Sequence, residues 1–233
     1  MSERTPLALL PGLLCDARLW QPQVEALAGL AAPWVADFTT QDSIGAMAES
    51  VLAAMPERFA LAGLSMGGYV AQEVLRQAPE RVLKLALLDT KADPDTEEQT
   101  ARRRGLIELA EKGEFKGVTP RLLPLLIHEE RLEDEPLVAT VLGMAEAVGK
   151  AAFLRQQQAI LTRPDFLPGL VRIACPTLVL CGRQDALTPV DKHMAMAAGI
   201  RDARLVVIED CGHLATLERP EAVNAALKDW LAA

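Results

Sequence analysis

Short apolar runs alternate with amphipathic stretches through the first ninety residues, and this rhythm constrains the fold more than any other feature of the chain. Thr5–Leu10 reads as a buried strand closed by Pro11-Gly12, residues 21–30 as a helix, and residues 34–38 as a short strand. A helix over 44–55 follows, with Ser43 or Asp42 as N-cap, then a strand at Phe59–Leu64, a helix over 66–78 stopped by Pro79, and a strand at Val82–Leu88. Continuous apolar strands separated by helices are covered on both faces, so the pattern predicts an α/β fold with a mostly parallel sheet.

The alternation breaks after Asp89. From about 90 to 167 no strand is expected and charge is frequent. Thr96-Glu97-Glu98-Gln99 matches a capping box before a helix over 101–112, with Gly113 as its stop. Leu137, Val141, Met144 and Val148 recur at helical spacing, which predicts a helix packing this segment onto the body. The rhythm resumes with strands at 176–180 and Arg204–Ile208 and helices at 190–198 and 220–231. The expectation is one α/β domain over 1–233, with about six strands and a small helical lid inserted at about 90–167.

The charge of −8, from 24 basic and 32 acidic residues, argues against a nucleic-acid partner, which would need clustered Lys and Arg. The uncharged stretch 59–72 is short of the ~18 apolar residues of a membrane span, so no membrane partner is expected. The N-terminus lacks a basic leader before its apolar run, and no signal peptide is expected. Cys15, Cys175, Cys181 and Cys211 form no Cys-x-x-Cys pair and there are three histidines, so no metal site is expected. Free thiols fit a reduced cytoplasm.

The sharpest local signal is Gly63-Leu64-Ser65-Met66-Gly67, followed by Gly68, where a strand turns into a helix. With four serines and 15 glycines, chance predicts ~0.02 occurrences of this pattern. Such a turn projects a strained Ser hydroxyl above the sheet edge, and a hydroxyl becomes nucleophilic only when a base takes its proton. His213 follows the last strand in Asp210-Cys211-Gly212-His213, at the edge where open α/β sheets bind ligands. His128 reads as a solvated surface residue and His193 as structural. Asp185, after the fifth strand, is the expected orienting carboxylate, with Asp89 as the rival; the chain order Ser…Asp…His favours Asp185.

Together with Leu10-Pro11-Gly12, Pro176-Thr177-Leu178, Gly182…Asp185 and Gly212-His213 followed by Glu218-Arg219-Pro220, these motifs resemble the α/β-hydrolase superfamily, specifically its compact bacterial esterase, lactonase and perhydrolase-like members. They span nearly the whole chain outside the insertion. The chain departs from the pattern in lacking an initial hairpin and in carrying Pro11-Gly12 where His-Gly is common. The resemblance implies a serine hydrolase of carboxylic esters, thioesters or lactones, with Ser65, Asp185 and His213 as catalytic residues and no cofactor. It places oxyanion donors at the backbone amides of Leu13 and Met66, the choice between Leu13 and Leu14 staying open. It also implies that the first strand lies beside the third, so that Leu13 and Ser65 leave adjacent strands.

Leu14, Leu187, Val141 and Met144 are the candidate substrate-binding residues. The expected partner is a small molecule with a carbonyl group; the sequence does not specify an oligomeric state. An apolar pocket mouth of Leu13, Leu14, Met66 and Leu187 predicts neutral acyl groups, unless Arg155 or Arg163 turns inward. Activity should follow one acidic limb, because only neutral imidazole accepts the Ser65 proton. Perhydrolysis, carbon–carbon bond hydrolysis and cofactor-free oxygenation are alternatives on the same fold, and a low-turnover ligand-binding or signalling protein is another.

Overall fold

The computed structural model describes residues 4–233. Strands β1 (Thr5–Leu10), β2 (Ala31–Val35), β3 (Phe59–Leu64), β4 (Val82–Leu88), β5 (Thr177–Gly182) and β6 (Arg204–Ile208) form one sheet in the order β2-β1-β3-β4-β5-β6. Every neighbouring pair is parallel. The chain steps outward from β1 to β2 and returns to β3 on the other side of β1. The connections leaving β1 and β3 therefore diverge and open a crevice at the carboxyl edge of the sheet.

Side-chain alternation divides the core into two layers. Leu7, Leu9, Ala60, Ala62 and Leu64 pack under helices α1 (Gln21–Leu27) and α8 (Pro220–Ala232), meeting Leu27, Leu227 and Trp230. Ala8, Leu10, Leu61 and Leu87 face the opposite layer. There they meet Met47 and Val51 of α2 (Ile44–Ala54), Val70 and Val74 of α3 (Met66–Gln77), and Met196 of α6 (Val190–Gly199). The Ser43 hydroxyl accepts the Ala46 N–H at 3.2 Å and is the N-cap of α2.

The second strand runs over Ala31–Val35, three residues before the expected 34–38. Its pairing with β1, from Thr5↔Ala31 to Leu9↔Val35, sets its position, and α1 ends at Leu27 to release it. Pro33 is tolerated because β2 is an edge strand.

Among the described residues between β4 and β5 there is no strand. Helix α4 (Glu97–Leu109) starts earlier than the expected 101 because the capping box sits at its very front: Thr96 accepts the Gln99 N–H and Gln99 accepts that of Thr96, both at 3.1 Å. The chain turns at Gly113, where φ is 90°. Helix α5 (Glu135–Leu161) is long and apolar enough to cross a membrane by length and composition. It breaks at Gly149, where φ is 74°, and buries Leu137, Val141, Met144, Phe153 and Ile160.

Candidate active site

Ser65 follows β3 directly and has φ 55°, a left-handed conformation costly for a residue with a Cβ. Its N–H donates to the Leu88 carbonyl at 3.0 Å, which fastens the turn to the end of β4. The two flanking glycines are required by close approach: a Cβ on Gly63 would run into the Gly67 carbonyl, and one on Gly67 into the Leu10 carbonyl. Leu14 (φ 57°) and Asp89 (φ 43°) are also left-handed at this edge of the sheet.

The structure brings Ser65, His213 and Asp185 together. His213 Nε2 lies 2.9 Å from Ser65 Oγ, and Nδ1 lies 2.8 and 2.9 Å from the Asp185 oxygens. With Nδ1 protonated toward Asp185, Nε2 is the acceptor for the Ser65 hydroxyl. Asp185 accepts further bonds from the Leu187 and Thr188 N–H groups, each at 2.9 Å, and from the Thr188 hydroxyl at 2.7 Å. Burial alone would raise its pKa; the facing His213 and the Thr188 donors outweigh that and hold the carboxyl below the usual range. Asp185 therefore faces His213 as a carboxylate at neutral pH.

Asp89 bonds elsewhere. It accepts the Gly182 N–H at 3.0 Å and the Ala215 N–H at 3.3 Å, joining β4 to β5 and to α7 (Ala215–Glu218). Burial, and then the nearby Asp185, push its pKa well above the carboxylate range.

The sequence expectation named backbone donors at Leu13 and Met66, on the loops that follow β1 and β3. Met66 is the first residue of α3, where an N–H has no intrahelical partner and the helix dipole favours negative charge. The Leu14 N–H is occupied, donating to Gln156 Oε1 at 3.0 Å, while that of Leu13 has no partner among the described residues. Gln156 in turn donates to the Phe38 carbonyl at 3.1 Å, so a buried glutamine of α5 holds the loop that presents Leu13.

Glu218 is the residue that sequence reasoning left without a role. Wholly buried, it accepts the N–H groups of His128 (2.6 Å), Gly212 (3.0 Å) and Leu214 (3.2 Å), and so ties the loop carrying His213 to the insertion. The Leu126 carbonyl accepts the N–H groups of His213 and Leu214, each at 3.1 Å, from the insertion side. Burial pushes the Glu218 pKa up despite these donors. Glu218→Gln turns a donor toward one of the amides and is expected to cost about 2 kcal/mol, read as a lower Tm in thermal unfolding. His128 is accordingly buried, correcting the expectation of a solvated residue.

His193 is structural, as expected. Fully buried, it accepts the Thr90 N–H on Nε2 at 2.9 Å and faces the Pro189 carbonyl with Nδ1 at 3.2 Å. Burial lowers its pKa from 6.5 to about 4. The folded state resists the proton that the unfolded chain takes up, so its contribution to stability is present above pH 6.5 and lost as pH falls to about 4. That loss is about 3 kcal/mol. In His193→Gln, whose Oε1 can accept the same N–H, unfolding free energy should fall less steeply between about pH 6.5 and 5 than in the native protein.

A cavity of about 360 Å³ opens in front of Ser65 and His213. Leu13, Leu14, Leu187, Val141 and Met144 border it; the Met66 side chain does not, being packed in the sheet core. Val141 and Met144 both pack the insertion and face the cavity. Neither Arg155 nor Arg163 turns inward: Arg155 donates to the Thr39 carbonyl, and Arg163 to the Ile160 and Asp93 carbonyls and to Asp95. Other cations border the cavity instead, beside the apolar mouth formed by Leu13, Leu14 and Leu187: Lys91, Arg102 and Arg103. The sequence motifs pointed to the nucleophile and carried no information about the insertion's side of the wall. Cys15 also borders the cavity, and burial pushes its thiol up to about 12, far from a thiolate.

Residues 7–226 match the model of the alpha/beta hydrolase family. The chain belongs to that family. This hydrolase is 30% identical over 190 residues to the pimeloyl-[acyl-carrier protein] methyl ester esterase of Nitrosomonas europaea, which covers 77% of this chain and 74% of the relative. It superposes on a thermophilic esterase from Thermogutta terrifontis, described with malate bound, with a TM-score of 0.88 at 30% identity, covering 98% of this chain and 89% of that one. The enol-lactonase of Burkholderia xenovorans gives a TM-score of 0.90 at 24% identity, covering all of this chain and 93% of that one, and so shares the fold of this hydrolase.

Proposed function

We propose that this hydrolase cleaves carboxylic esters, thioesters or lactones through an acyl-enzyme on Ser65. The observation that carries the reading is the continuous chain of hydrogen bonds from Ser65 Oγ through His213 to Asp185. Ser65 Oγ attacks the substrate carbonyl carbon as Nε2 takes its proton. The carbonyl oxygen becomes an oxyanion that accepts bonds from the Leu13 and Met66 N–H groups, and Asp185 stabilises the imidazolium. The tetrahedral adduct collapses with loss of the alcohol, thiol or ring oxygen, to which His213 gives the proton. Water, deprotonated by His213, then attacks the acyl carbon and releases acid and free Ser65.

In this reading the insertion is a lid. It supplies Val141 and Met144 to the cavity and, through Gln156, holds the loop that presents Leu13. The homology with a methyl ester esterase and the likeness to an esterase support the ester class. The test is a parallel turnover screen on esters, thioesters and lactones, on esters with added peroxide, and on vinylogous diketones. Ester, thioester or lactone turnover should dominate. Turnover confined to carbon–carbon cleavage, or to peracid formation, would overturn the proposal.

A further inference from the structure

The wall of the cavity on the side of α4 carries more positive charge than its own carboxylates balance. Lys91, Arg102 and Arg103 border it against Asp95, while Arg163 and Lys192, outside the lining, share Asp93 and Asp95 with Lys91 and Arg103. The Lys91 and Arg163 side chains are 3% and 2% exposed, so water does little to screen them. Burial, and then Arg163, hold the Lys91 ammonium below the usual lysine range, with Asp93 and Asp95 opposing them. Arg102 borders the cavity and has no ion-pair partner among the described residues.

Besides Arg102, three side chains on this wall carry a donor without a partner among the described residues. Arg103 uses Nε on Asp95 at 2.6 Å and Nη1 on Gln157 Oε1 at 2.9 Å, and its Nη2 has no partner among the described residues. Gln157, itself 1% exposed, gives its oxygen to Arg103, which leaves its Nε2 donors unpaired beside the cavity. The Tyr69 hydroxyl has no partner among the described residues either; the Arg163 guanidinium lies 4.3 Å from the centre of its ring. Asp95 borders the same space, but its oxygens are engaged by Arg103 and Arg163. Glu114 and Lys116, both exposed, also border the cavity and offset each other in charge.

Unpaired donors on the half-buried Arg103 and the buried Gln157 and Tyr69, beside surplus positive charge, make a site for an anion with planar, two-oxygen geometry. Tyr69 stands one helical turn beyond Ser65, a rise of about 6 Å along α3. We infer that the cavity takes substrates with a carboxylate a short chain away from the reacting carbonyl, seated on Arg103, Gln157 and Tyr69. This rests on the hydrolase reading above and names its substrate class: half-esters or lactones derived from short dicarboxylic acids.

The experiment compares the mono-p-nitrophenyl ester of succinate with p-nitrophenyl butyrate, which has the same acyl length without the charge. The native protein should prefer the succinate half-ester by at least about tenfold in kcat/KM, mainly through KM. Arg103→Met should collapse that ratio by about tenfold, to near-equal use of the two esters, and Arg103→Lys, which keeps a charge there, should restore part of it. Equal use of the two esters by the native protein, or a ratio unmoved in Arg103→Met, overturns the inference. Calorimetry with glutarate separates it from the chemistry: binding to the native protein that weakens in Arg103→Met sustains the subsite even if neither ester turns over, and absence of binding refutes it.

Discussion

Ser65→Ala should lower ester turnover by about 10⁶-fold, since removal of an activated serine leaves only what binding and the oxyanion donors supply. The structure makes this substitution clean in its interpretation. The Ser65 side chain makes one hydrogen bond, to His213 Nε2, while the turn is held by backbone contacts that alanine keeps. Ala also relieves nothing at φ 55°, so the strain of the turn persists in the variant. Circular dichroism and Tm should therefore stay close to the native values while initial rates on a p-nitrophenyl ester vanish. Native-like rates in this variant would remove Ser65 from the reaction.

Asp185→Asn should cost about 10⁴-fold in kcat, because an amide in this place lets the imidazole adopt the wrong tautomer. Asp89→Asn should cost far less turnover and spend its effect on stability, since Asp89 accepts two backbone amides and an asparagine can accept on only one side. The two variants thus separate by readout, one in kcat and the other in Tm. The pH dependence has a matching sign. The Asp185 pKa is held below the ordinary carboxylate value in the folded protein, so its contribution to stability is present above ~3.9 and is lost as pH falls through the lower folded value. A larger loss of turnover in Asp89→Asn than in Asp185→Asn would reverse the roles assigned to these carboxylates.

The sheet was legible in the sequence because its strands are covered on both faces and so read as unbroken apolar runs; β3 and β5 are buried from end to end. The edge strand β2 was misplaced for the complementary reason. It is only half-buried, and its bounds follow from register with β1, a long-range pairing that local pattern does not contain. Ser65, His213 and Asp185 stood out because strand-end turns impose composition on their neighbours, visible as Gly63, Gly67 and Gly212. Glu218 was visible within a motif but without a role, because its part in joining the His213 loop to His128 depends on a contact far away in the chain. Gln156 was silent because it joins Leu14 to Phe38 from the other half of the sequence. A faint signal existed for Gln156 and Gln157: they belong to a run of three glutamines between Phe153 and Ile160, on a helix whose other inward residues are apolar. The cations at the cavity were missed because they lie in the insertion, where no motif fixes which side chains turn inward.

The most direct test of the account is reaction of the native protein with a fluorophosphonate, followed by peptide mapping, because the reagent reports nucleophile identity and activation together. The account predicts one adduct, on Ser65, formed at a rate that falls sharply in Asp185→Asn. An adduct on another residue, or no adduct in a preparation that turns over esters, would contradict it.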